Sequence, residues 1–308
     1  MISTKRSSVQ HASILVLIAV VFLIIFGSLL QSLHYEAGIA LTQWIFFLVP
    51  ALVYLKLFSQ QPAVFARFRP LQSKFLPAIV LLAVSAWVSL VFVEGIILSA
   101  LSGLGFEPLE KIPPPTTVNQ LLIYILIIAV SPAICEEILF RGAVMPSMER
   151  YGMLPALLFS ALLFALMHMS FLSLTSTFVL GLLIGLVVLK TGSLYAGMLY
   201  HFLNNLIAVT FMYYMHRFDL EALLEGSEAV FTITWLTVTG LAFGGVLIGL
   251  LLLQRQSRVN RILPSRGRLL PQGWINWASI LIAVIFLFSA TVELLIGFGL
   301  FNFLDAGR

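Results

Sequence analysis

Runs of about 20 consecutive apolar residues, the length needed to cross the hydrocarbon core of a bilayer as a helix, recur along the whole of this chain. They leave little room for a water-soluble domain. In such a solvent each backbone N–H and C=O must be satisfied within the protein, so the sequence predicts an all-α fold, a polytopic transmembrane helical bundle. Composition agrees: 60% of the 308 residues are hydrophobic and 10% are charged, against roughly 25% charged in an ordinary soluble protein.

Eight to nine spans are expected, placed at 13–33, 37–58, 75–101, 119–148, 153–170, 171–190, 193–215, 229–253 and 276–300. The first follows Lys5 and Arg6 but is too long for the apolar core of a cleaved signal peptide, so it is expected to stay as an anchor. With the N-terminus inside, the inner face collects Lys5, Arg6, Lys56, Arg67, Arg69, Lys74, Arg150, Lys190 and the arginines of the loop 254–273. The outer face then holds Lys111, Arg217 and Arg308, with the acidic Asp219, Glu221, Glu225 and Glu228. That is the asymmetry of the positive-inside rule. The basic loop therefore reads as a topology determinant facing anionic lipid, and no nucleic-acid partner is expected. One cysteine, Cys135, permits no internal disulfide. Three parts are expected: N-terminal spans and an outer Pro-rich linker, KIPPPTT, over 1–118; a core carrying the unusual polar residues over 119–215; and C-terminal spans with the basic cytoplasmic loop over 216–308.

The stretch SPAICEEILFRG at 131–142 places Glu136, Glu137 and Arg141 inside an apolar run. An ionised residue at mid-bilayer costs about 2.5–3.5 kcal/mol on insertion scales. Glu137 and Arg141 are four residues apart, which puts them on one helix face as a charge-assisted pair. Glu136 is rotated about 100° from Glu137 and is free to face a cavity. Pro132 lacks the N–H that would engage the carbonyl of residue 128 and is expected to bend the helix. Downstream, FALMH (164–168) ends in His168, and HFLNN (201–205) sets His201 and Asn205 on one face, with Asn204 read as a bonder between helices. At 1.5 Å per residue, Glu136, His168 and His201 lie roughly 17, 20 and 12 Å from the inner ends of their spans, close enough for ordinary tilt to level them.

A carboxylate and an imidazole in a confined cavity can deprotonate water, while a second imidazole and an amide donate to a developing oxyanion. Two histidines and a glutamate also match some catalytic zinc sites, although the H-E-x-x-H signature is absent. The aspartates, Asp219 and Asp305, fall outside the spans, and no G-x-S-G surrounds a serine. Aspartyl and rhomboid-like sites are therefore unsupported. Glu94 and Glu293 lie near the outer ends of their spans and read as interfacial or neutral carboxyls, and Cys135 reads as a small buried residue.

EEILFR (136–141), FALMH (164–168) and HFLNN (201–205) resemble, in order and spacing, the E-E-x-x-x-R, F-x-x-x-H and H-x-x-x-N motifs of the CPBP family. That family comprises the CAAX prenyl protease type II enzymes and their bacterial relatives, also called Abi. The resemblance covers roughly 120–210. It implies an intramembrane endopeptidase in which Glu136 and His168 activate water and His201 and Asn205 stabilise the oxyanion. Glu137 and Arg141 would organise the site, with Phe164 shaping the cavity. It implies a glutamate mechanism with no cofactor, zinc being the alternative, and a site opening toward the cytoplasm. The expected substrate is a membrane-associated peptide or protein, and the expected location a prokaryotic inner membrane. The competing expectations are a non-proteolytic scaffold that regulates a partner membrane protein or confers peptide immunity, and a proton-coupled transporter, for which inverted repeats are not apparent.

Overall fold

The computed structural model describes residues 8–108, 112–218, 228–257, 259 and 273–300. Among the described residues there is no strand. The long helices are α1 (Val9–Leu33), α2 (Tyr35–Phe58), α3 (Ser73–Ser102), α4 (Val118–Tyr151), α5 (Met153–Met167), α6 (Leu174–Thr191), α7 (Leu194–Phe218), α8 (Glu228–Gln256) and α9 (Trp277–Gly297). Each expected span falls on one of them. Seven, all but α5 and α7, are long and apolar enough to cross a membrane, α8 over Ile233–Gln256. The two exceptions are where the polar islands lie: α5 ends after 15 residues at its cap His168, and the apolar run of the continuous helix α7 is interrupted by His201, Asn204 and Asn205. Lys5, Arg6, Lys111, the acidic residues of 219–228, most of the basic loop 254–273, Asp305 and Arg308 lie outside the described residues or side chains.

Apolar on nearly every face, these helices owe their limits to local chemistry. Ser8 and Thr117 accept the backbone N–H of His11 and Gln120 at the starts of α1 and α4, and Asn276 forms a reciprocal capping box with Ser279 at the start of α9. Each meets donors that helix geometry leaves orphaned. His34, in extended backbone, separates α1 from α2. Gly38 then lets α2 fold back, since a Cβ there would lie 2.5 Å from the backbone nitrogen of Gln31.

Lipid tails are as apolar as leucine, so helix pairs in a bilayer are held by close packing and polar contacts. Glycines set two of the closest approaches. Gly181 and Gly185 of α6 meet Ala161 and Leu157 of α5. Gly245 and Gly249 of α8 meet Ser85 and Leu82 of α3, so closely that a Cβ on Gly245 would fall 2.2 Å from Ser85 Oγ. In both pairs one number rises as the other falls, so the helices are antiparallel. Helices α2 and α4 differ. Trp44 Nε1 donates to Ser131 Oγ (3.0 Å), Gln43 Nε2 to Glu136 Oε1 (2.7 Å), and the hydroxyls of Tyr54 and Ser147 share a bond (2.8 Å). Tyr54 follows Gln43 and Trp44 along α2 as Ser147 follows Ser131 and Glu136 along α4, so α2 and α4 run parallel, as alternate crossings must.

Helix α4 is the axis of the bundle, with Leu139, Phe140, Arg141, Met145 and Met148 all fully buried. Its Ser131–Glu137 segment lies between two wider π-helical stretches, Ile125–Val130 and Ile138–Val144. Such insertions recur at functional positions in helices. The outward faces of α8 and α9 expose large apolar side chains, Leu241 and Phe288 among them, which suits lipid and would be a liability in water.

Candidate active site

Glu137 is completely buried and carries the pair expected from its spacing: Arg141 Nη1 donates to Glu137 Oε1 at 2.9 Å. The second arm of the guanidinium, Nη2, donates to the carbonyl of Gly181 at 2.9 Å. Its plane lies over the Phe164 ring, 4.5 Å from the centroid. A cation so placed is held by a carboxylate, a carbonyl and a π face, which offsets the desolvation of burying it. Glu137 Oε1 also accepts His201 Nδ1–H at 2.9 Å. One carboxylate thus ties together two of the three motifs.

Phe164 supplies the link to the third. Its fully buried ring meets the rings of Phe140, His168 and His201 edge-on at 5.2, 4.8 and 6.0 Å. Two glycines make the convergence possible. A Cβ on Gly181 would press on Phe164 at 3.2 Å, and one on Gly197 would reach Val188 at 2.6 Å and Glu137 Oε2 at 3.2 Å.

Glu136 points elsewhere, as its rotation from Glu137 requires. Its Oε1 accepts Gln43 Nε2, while its Oε2 is buried with no protein partner. With His168, His201, Asn204 and Asn205 it lines a cavity of about 580 Å³. A smaller cavity of about 200 Å³ is also bounded by Glu136, His168 and Gln43. His168 Nδ1 bonds the carbonyl of Phe164 at 2.8 Å. A carbonyl accepts and never donates, so Nδ1 carries the proton, and in a neutral ring Nε2 keeps its lone pair for the cavity.

Asn205 Nδ2 donates at 2.9 Å to the carbonyl of Ile128, the one Pro132 has no N–H to engage, and Asn205 Oδ1 accepts from Asn204 Nδ2 at 3.1 Å. The bond between helices expected of Asn204 is therefore made by Asn205, and Asn204 steadies its neighbour. Cys135 is fully buried, in keeping with a packing role.

Glu136, His168, His201 and Asn205 line the cavity, Glu137 and Phe164 contact residues that do, and Arg141 reaches it only through Glu137 and Phe164. Gln43 went unremarked in the sequence; a buried glutamine inside a span was the available signal. Glu94 and Glu293 also gain roles. Glu94 lines the main cavity and accepts from Ser176. Glu293 is buried and accepts from Ser170 Oγ and the N–H of Phe171. Neither is a simple interfacial group. Among the described residues no three His, Cys, Asp or Glu side chains converge as a metal-ligand set.

Comparison with known proteins adds an independent finding. Residues 118–207 match the family described as Rce1-like, type II CAAX prenyl endopeptidase Rce1-like. Searches of curated proteins and of solved structures give no match. The matched segment contains all three motifs and every cavity residue on α4, α5 and α7 that carries reactive chemistry. Over this segment the chain is similar to the CAAX proteases of the Rce1-like type, set in a protein with seven helices, among the described residues, long and apolar enough to cross a membrane.

Proposed function

We propose that this protein hydrolyses internal peptide bonds of membrane-associated peptides or proteins with a water activated by Glu136 and His168. The observation that carries the reading is the state of Glu136: one oxygen fixed by Gln43, the other without a protein partner, in the cavity that His168 also lines. A water there has a carboxylate and the Nε2 lone pair of His168 as acceptors for its protons. Its oxygen attacks the scissile carbonyl carbon as a proton passes to one of these bases. The carbonyl oxygen becomes an oxyanion, stabilised by the Nε2–H of His201 and an amide N–H of Asn205. With Nδ1–H given to Glu137, a second N–H on His201 makes the ring cationic, and the developing oxyanion it donates to balances that charge. Collapse breaks the C–N bond, and the proton held by Glu136 or His168 goes to the leaving nitrogen. No step is routed through a metal.

The family description points to prenylated carboxyl-terminal tails as one substrate class. In a prokaryotic inner membrane, maturation or release of a peptide or regulatory protein fits better, with the site reached from the cytoplasmic side. The test compares protein termini, by mass spectrometry, in membranes of cells lacking the protein and complemented with wild type or Glu136→Gln at equal levels. Termini formed by wild type alone are expected. Indistinguishable termini, with both forms restoring the phenotype, would replace the protease with a scaffold.

A further inference from the structure

We infer that α9 is a latch on the turn that carries His168, with Glu293 and Ser289 as positioning residues for that imidazole. The inference rests on reading His168 as one of the groups that act on the water.

His168 caps α5, and the residue after it, Met169, has φ +50. That is left-handed backbone, disfavoured in any residue with a Cβ unless its surroundings enforce it. The enforcement comes from α9. Ser289 Oγ donates to the carbonyl of Met169 at 2.9 Å. One turn on, the buried carboxylate of Glu293 takes two donors from the same turn, Ser170 Oγ at 2.9 Å and the N–H of Phe171 at 2.6 Å. Ser289 and Glu293, four residues apart, share one helix face, so a single surface of α9 grips three successive residues. His168 is otherwise held through its bond to the Phe164 carbonyl, one turn back on its own helix, and its ring is open to the cavity. Where that ring sits relative to Glu136 is therefore set by how α5 ends, and α9 fixes that ending from outside the segment that matches the family, 118–207.

Two substitutions separate positioning from general support. Leucine at 293 approximates the size of glutamate, makes neither bond and enters a membrane more readily than a carboxylate, so a loss of function is not a failure of insertion. Glutamine can restore both bonds, its oxygen accepting the Phe171 N–H and its NH₂ donating to Ser170 Oγ. Termini produced by wild type alone should form about 10- to 100-fold more slowly with Glu293→Leu, the scale of an approximately 1 Å misplacement, and near the wild-type rate with Glu293→Gln. Diethyl pyrocarbonate labelling of the full chain in nanodiscs, read by mass spectrometry, should show a changed rate at His168 in the leucine variant, a wild-type rate in the glutamine variant, and an unchanged rate at His201 in both. Wild-type labelling of His168 in Glu293→Leu overturns the latch whatever the cleavage result, as does a joint change at His168 and His201. Normal cleavage by His168→Ala instead overturns the reading of the site.

Discussion

Arg141 offers the sharpest test of how the site is built, because the guanidinium is fully buried and all its visible partners are known. Arg141→Ala removes the donor to Glu137 Oε1, the donor to the Gly181 carbonyl and the cation over Phe164. Breaking a buried ion pair from one side costs about 3–5 kcal/mol, since the partner charge stays behind. The Gly181 carbonyl, inside α6, keeps its helical N–H partner and adds little. Against a typical folding free energy of about 5–15 kcal/mol, that loss is a large fraction of the stability. The variant should accumulate poorly and lose its monodisperse peak in detergent at a far lower temperature than wild type. Pairing Arg141→Met with Glu137→Gln should recover part of the loss, because the stranded charge is gone and the side chain refills the space over Phe164. That recovery separates the electrostatic term from the packing term. Normal accumulation and thermal stability of Arg141→Ala would refute the pairing argument, and failure of the double variant to improve on the single one would show that geometry at His201 matters more than charge.

Gln43→Leu should leave the protein abundant but slow cleavage by about 10- to 100-fold, as expected when a catalytic group is no longer held in place; unchanged cleavage would remove Gln43 from the site. Gly197→Ala should destabilise by about 1–3 kcal/mol through overpacking, because the new Cβ meets Val188 Cγ2 at 2.6 Å. Adding Val188→Ala opens that space, so the double variant should melt closer to wild type in detergent; no recovery would place the clash at Glu137 instead. Chelation is expected to leave the rate unchanged in purified protein, and a metal whose removal and return track activity would overturn the water mechanism drawn for Glu136.

The local part of the site was legible because helical spacing is a physical constraint a sequence carries openly. Glu137 and Arg141 had to share a face, Glu136 had to turn away, and the structure shows both. The span positions followed from apolar length in the same way. What escaped were contacts between side chains far apart in sequence. Gln43 lies 93 residues before Glu136, and a glutamine in an apolar helix signals a polar partner without naming it. Glu293 lies 122 residues after Phe171, and its partners are a hydroxyl and a backbone N–H, neither of which leaves a charge pattern to detect. Asn205 and Ile128 show an intermediate case: the freed carbonyl was visible from Pro132, but not which donor would take it. The π-helical stretches around Ser131–Glu137 carry no mark in the apolar spacing from which the span was read.

The parallel pairing of α2 with α4 has a consequence for how the protein comes into being. Parallel neighbours in a membrane require the helix between them to cross back first, so α2 and α4 meet after α3 is in place. Until then Glu136 has no donor from Gln43. A nascent chain threaded into a crowded bilayer thus holds the Glu136 carboxylate unset, and its bond to Gln43 arrives with the completed bundle. For the same reason residues 118–207 are not a transplantable cartridge: grafted onto other helices, they would bring the acid and both imidazoles and leave behind the amide that aims the acid.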